Sequence, residues 1–206
     1  MEALKPPRIE TGLATAMRAG EAQSGDLSVV SLTPAGALVG VVDGLGHGEE
    51  AAAAARLAVS VLESHLFESV VSLVRLCHEE LRATRGVVVS LASIDAVEGV
   101  MTWVGVGNVE GILLRADPQA QPAVESLLLR GGVVGAAELP PLSEAVLRIS
   151  PGDTLIFATD GIKSGFGEGL MARAAPQRLA RRILRDHAKN TDDALVLAVR
   201  YLERPA

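Results

Sequence analysis

Aspartates fall where apolar runs begin or end: Asp26 in SGDLSVV, Asp43 in VVDGLGHG, Asp160 in FATDG, and Asp192 with Asp193 in NTDDALVL. A carboxylate at such a point is carried by rigid sheet backbone and still reaches the sheet rim. Carboxylates gathered at one rim repel one another unless a cation lies between them. An oxygen-only ligand set selects hard ions, so the ions implied are Mg²⁺ or Mn²⁺, whereas zinc prefers His and Cys. Glycine directly after Asp43 and Asp160 permits a tight turn and lets a backbone carbonyl approach an ion. An Asp-Gly pair after a strand is also an ordinary turn. Spacing alone does not make these acids converge; their shared place at strand ends argues for chemistry. His47 sits between Gly46 and Gly48, the imidazole nearest to Asp43.

The elements that must hold these acids are legible in the residue pattern. TGLATAMR, DLSVVSL and ALVGVVD are short apolar or β-branched runs, with TPAG as a turn between the last two, and they read as an antiparallel meander. After DGLGHG the run EEAAAAARLAVSVLESHL is rich in helix formers and carries Glu49 and Glu50 in its first turn, so a helix starts near Gly48. Leu66, Val70, Leu73, Val74, Cys77 and Leu81 recur at helical spacing, with Gly86 as a stop. Six strand-like runs follow between Val87 and Asp160 with no helix among them, which implies antiparallel sheets rather than an alternating parallel fold. Pro176 opens a last helix, PQRLARRILRDHAK, and ALVLAVRY closes the chain as a strand. The fold class expected is α+β, two packed antiparallel sheets flanked by helices, in a single domain over 1–206.

Composition narrows the partners. With 206 residues, 49% hydrophobic and 21% charged, the chain is long enough to bury a core, and disorder is excluded as its main state. Twenty-five acids against 19 bases leave a net charge of −6, and 2% aromatic content supplies few stacking platforms, so nucleic acid is not an expected partner. The longest run without a charge, Leu27 to Val42, is broken by Pro34, Gly36 and Gly40, so no membrane span is expected. MEALKPPRIE lacks the apolar stretch of a signal peptide, and a single cysteine, Cys77, gives no disulfide framework. A cytoplasmic protein is expected. Cys77 reads as a buried core residue, and His65, His78 and His187 as surface residues without metal spacing.

DGLGHG after an apolar strand, SGD upstream, ATDG in the second half and DDALVL at the end resemble the metal-dependent type-2C serine/threonine phosphatase family. The bacterial branch, typified by the stage II sporulation and stressosome phosphatases, is the most similar. The resemblance covers nearly the whole chain in the right order, and its family fold agrees with the α+β reading. It implies two Mn²⁺ or Mg²⁺ ions bridged by Asp43. Gly44, through its carbonyl, and Asp26 would hold one ion, and Asp160 and Asp192 the other, with Asp193 as the fallback for Asp192. The implied activity is hydrolysis of phosphoserine or phosphothreonine by a metal-activated water, with Asp43, Asp160 and His47 as the catalytic candidates. The implied substrates are phosphorylated STAS-domain regulators of a bacterial stress or sigma-factor pathway.

Two departures from the family pattern stand out. Ala22 occupies about the place where many members carry a phosphate-gripping arginine, with Arg18 further away, and Leu45 stands where a histidine has been assigned a general-acid role. His47 is then either that acid or a residue that shapes the loop. Asn108 in VGVGNVEG supports a turn. Arg178, Arg181, Arg182, Arg185 and Lys189 give the last helix a basic face, solvated or open to an acidic phosphoprotein. A nucleotide-binding kinase is excluded because no asparagine precedes Asn108. A catalytically weak or inactive phosphatase-fold module that binds a phosphoprotein partner is the alternative, and the retention of all the expected acids argues against it.

Overall fold

The computed structural model describes residues 8–203, so the prolines and acid of MEALKPP lie outside the described residues. In chain order the elements are β1 (Arg8–Ala16), β2 (Asp26–Leu32), β3 (Gly36–Gly44), α1 (Gly48–Ser64), α2 (Val70–Glu80), β4 (Val87–Asp95), β5 (Val100–Val106), β6 (Glu110–Leu114), β7 (Val124–Ser126), β8 (Ala145–Arg148), β9 (Thr154–Ala158), α3 (Pro176–His187) and β10 (Ala194–Glu203). Two five-stranded sheets result, ordered β1-β10-β9-β6-β7 and β2-β3-β4-β5-β8. Every strand pairing is antiparallel.

Strand periodicity explains the layering. On β10, Leu195, Leu197 and Val199 face the second sheet, while Ala194, Val196 and Ala198 face α3. On β3, Ala37, Val39 and Val41 face the first sheet, and Leu38 and Val42 face α1 and α2. Strands buried on both faces read as continuous apolar runs, which is how they look in the sequence. Trp103, Phe157 and Leu113 fill the layer between the sheets, giving an α-β-β-α sandwich.

Four expectations need correction. The first three strands are not one meander: β2 and β3 form the expected hairpin, but β1 belongs to the other sheet, paired with β10 at the far end of the chain. Gly86 does not end α2, which stops at Glu80; Gly86 lies beyond a turn, with φ of +79°, packed against Val134. The VESLLLR run is a strand only over Val124–Ser126, because Arg130 and Val134 cross to bridge Val106 and Val87 of the second sheet. His78 is also not a surface residue. It is 5% exposed, and its Nδ1 accepts a hydrogen bond from the Gly135 amide at 3.1 Å, so it caps a loop from within. Cys77 is buried as expected, and burial pushes its thiol up to about 12, far from nucleophilic character.

Candidate metal centre

The alternation that builds the core also aims the acids. Asp43 shares the parity of Val39 and Val41, so its side chain lies where the inter-sheet layer reaches the rim. Asp26 is its direct partner across the β2–β3 ladder. Like charges directly opposed on one face destabilise a ladder. Asp160 follows β9 and Asp192 precedes β10, which brings both to the same rim from the first sheet. Arg18, Asp26, Asp43, Asp160, Asp192 and Asp193 line one cavity of about 280 Å³, together with His47 and Asn108.

Thr159 ties the two sheets together at this point. Its hydroxyl donates to Asp26 Oδ2 at 2.7 Å and accepts from the Leu195 amide at 2.8 Å, so one side chain of the ATDG motif fixes a carboxylate of the opposite sheet. Asn108 Nδ2 donates to Asp160 Oδ2 at 2.9 Å, which gives the asparagine a positioning contact beyond the turn expected of it. Asp193 is buried, and both of its oxygens are engaged: Oδ1 accepts from the Arg18 amide and Oδ2 from the Gly25 amide, each at 2.8 Å. Asp192 is half-buried and, among the described residues, accepts only from the adjacent Asp193 amide at 3.0 Å. Of the adjacent pair, then, Asp193 latches the segment from Arg18 to Gly25, and Asp192 keeps the freer carboxylate.

The glycines after the acids serve close approach rather than turning. A Cβ on Gly44 would stand 2.1 Å from the Ala51 carbonyl oxygen of α1, and one on Gly161 would stand 1.9 Å from the Asp193 carbonyl oxygen. Positive φ is needed instead at Gly46 (+90°) and Gly48 (+76°), which flank His47. The His47 side chain is 52% exposed and its Nδ1 lies 2.7 Å from Glu21 Oε1, so the glycine loop is tied to the segment after β1.

Electrostatics shows what the cavity lacks. Burial above all, followed by the charges of Asp26, Asp160, Asp192 and Asp193, pushes the Asp43 carboxyl up to about 8. Asp26 is pushed up to about 7, mainly by burial, with the Thr159 hydrogen bond opposing the rise and the neighbouring carboxylates adding to it. Among the described residues no group of three or more His, Cys, Asp or Glu stands in an arrangement that holds a metal ion. The acids line the walls and stay apart, as uncompensated carboxylates do. By donor chemistry they fit a hard divalent cation: the aspartates present carboxylate oxygens, and among the described residues none donates a hydrogen bond to the Asp43 carboxylate.

Sequence reasoning missed three contributors. Arg18 looked too distant along the chain from Asp26, yet it lines the cavity, because the segment after β1 folds back under the Asp193 latch. Ala22, at the family's arginine position, is exposed. Glu21 carried no signal in one dimension. Thr159 stands inside FATDG, one residue before the acid that dominates the motif.

This fold and this rim of carboxylates define the type-2C phosphatase class. Within that class the chain belongs to the stage II sporulation protein E (SpoIIE) family, whose model matches residues 33–202. A chain solved in work on the bacterial stressosome, described as a modular system adapted to control secondary messenger signalling, is 31% identical; the match has a TM-score of 0.83 and covers 94% of this chain and 100% of that one. RsbX, crystallised in complex with magnesium, is 20% identical with a TM-score of 0.82, covering 94% of this chain and 95% of its own. The type-2C phosphatase domain of SpoIIE from Bacillus subtilis, solved with a fragment of its regulatory domain, is 21% identical with a TM-score of 0.76, covering 98% of this chain and 65% of that one. No curated protein matches the chain. Among the described residues no helix is long and apolar enough to cross a membrane.

Proposed function

We propose that the chain is a single catalytic domain, a cytoplasmic protein serine/threonine phosphatase dependent on Mn²⁺ or Mg²⁺. Its substrates would be phosphorylated STAS-domain regulators of a stress or sigma-factor system. The observation that carries this reading is the desolvated, mutually repelling Asp26–Asp43 pair facing Asp160 and Asp192 across one cavity. Such an arrangement is costly for a protein unless cations complete it. The likeness to RsbX and to the stressosome-related chain supports the choice of substrate class.

Asp43 and Asp26, with the Gly44 carbonyl, would hold one ion, and Asp43, Asp160 and Asp192 the second; Asp193 serves as latch. When bound, the two ions supply an acidified water and positive charge for the phosphoryl oxygens. The chain's own residues do the rest. Asn108 fixes the rotamer of Asp160, and Thr159 that of Asp26. Arg18 lines the cavity, and its guanidinium would grip the substrate phosphate in place of the arginine absent at Ala22. His47, oriented by Glu21, donates the proton to the departing serine oxygen.

The test is release of phosphate from phosphoserine STAS proteins by the purified chain in Mn²⁺, with an aryl phosphate alongside. No release from either overturns the phosphatase reading and leaves the binding module. The same assay separates the two side chains. Arg18→Ala raises KM on both substrates, on the order of 10- to 100-fold, with a smaller change in kcat. His47→Ala lowers kcat roughly 10²-fold on the phosphoserine protein and spares the aryl phosphate, whose leaving group needs no proton. Equal losses on the two substrates would reject the acid role and leave His47 as a loop residue.

A further inference from the structure

α3 has two unlike faces. Leu179, Ala180 and Ile183 are buried among β1, β9 and β10 side chains. On the other side Arg178, Arg181, Arg182 and Arg185 are exposed and line a groove of about 630 Å³ with Ala175 and Gln177. Asp186 is the counter-charge on this face, 2.7 Å from Arg185 and 3.8 Å from Arg182. Arg178 and Arg181 form no ion pair among the described residues. Such a concentration of positive charge stands out in a chain of net charge −6.

The C-terminal end of the helix is tied to the loop that follows Asp160. The Lys189 amide donates to the Gly161 carbonyl at 2.8 Å, and the Lys163 amide donates to the His187 carbonyl at 2.9 Å. Gly161 directly follows Asp160. Exposed Lys163 and Lys189 therefore extend the arginine row to the loop that carries a cavity carboxylate. A chain of net charge −6 repels an acidic phosphoprotein at long range, and a basic track leading toward the rim offsets that repulsion and orients the encounter.

We infer that the exposed face of α3 is a docking track for an acidic segment of the phosphoprotein substrate, which it holds while the phosphorylated residue enters the aspartate cavity. The inference rests on the phosphatase reading above. From Pro176 to His187 the helix is about 18 Å long at 1.5 Å per residue, which an extended peptide covers with roughly five residues. A membrane surface is the poorer occupant, because the apolar face that would insert is already buried against the sheet. Nucleic acid is disfavoured by the net charge and by the 2% aromatic content.

The experiment uses a phosphoserine peptide flanked by Glu, the same peptide flanked by Gln, and an aryl phosphate. The wild-type chain should prefer the Glu peptide by roughly 10-fold in kcat/KM, through KM, with the preference shrinking as salt rises. R178E/R181E/R182E should lose the preference and turn over the aryl phosphate as before; if that variant folds poorly, R178Q/R181Q should reduce the preference with an unchanged melting temperature. Fluorescence anisotropy with the unphosphorylated Glu peptide needs no turnover, so it tests docking even if the chain hydrolyses nothing. Equal turnover of the Glu and Gln peptides, a preference that survives in the variants, or a face that binds duplex DNA or anionic vesicles but not the Glu peptide would each overturn the docking track, while loss of aryl phosphate turnover in the wild type would strike the phosphatase reading instead.

Discussion

Asp43→Asn abolishes turnover and at the same time stabilises the metal-free fold. Asparagine keeps the shape of aspartate and removes a carboxyl that burial and four neighbouring acids push up to about 8. At neutral pH the wild-type fold bears either the cost of holding that group charged or the need to keep it protonated, and the amide has neither burden. The metal-free variant should therefore melt higher, by an increment on the order of 2–8 °C for a chain of this size. Turnover should fall roughly 10³-fold or more, because the side chain assigned to both ions has lost its charge. Calorimetry should show weakened binding of both ions. A variant that melts lower, or that binds two ions normally, rejects the bridging assignment. The opposite signs of the two readouts matter, since a residue needed for the fold would lower both stability and activity.

The same residue shows what one dimension carries and what it withholds. The β2–β3 hairpin was legible because TPAG sits between two apolar runs, and its register sets Asp26 opposite Asp43 without any further information. α1 and α3 were legible from helix formers, first-turn acids and Pro176. Sheet membership was not. β1 reads like the strands that follow it, and its pairing is with β10 at the far end of the chain. At the site, Arg18 lies further along the chain from Asp26 than Ala22 does, yet the segment after β1 returns to the rim, where Asp193 holds the Arg18 amide. Alternation left Asp192 and Asp193 undecided for a related reason: the pattern gives opposite faces but not which face meets the other sheet. His78 has no partner at metal-ligand spacing and so reads as a surface residue, while its actual partner Gly135 lies 57 residues away. In each case the missing quantity was a contact between distant segments.

Stripping divalent ions should remove turnover altogether, and the pH dependence of what remains distinguishes a cation site from a merely acidic cavity. Folded, Asp26 and Asp43 titrate near 7 and 8, against an ordinary value of 3.8. The folded chain therefore holds protons that the unfolded chain has released, and between these values stability falls as pH rises. In chelator the melting temperature should decline from about pH 5 to about pH 9, most steeply below the two folded values. Divalent ions reverse the sign, because they compete with those same protons: apparent affinity for Mn²⁺ should rise with pH through this window and flatten above about 8, with protons released on binding. Saturating Mn²⁺ should flatten the melting profile and restore phosphate release, whereas chelated protein should be at least roughly 10³-fold slower. Undiminished turnover in chelator would exclude metal dependence. A melting temperature that climbs with pH in chelator would show instead that the carboxylates of this rim are compensated by the chain itself, and the need for cations would lose its physical basis.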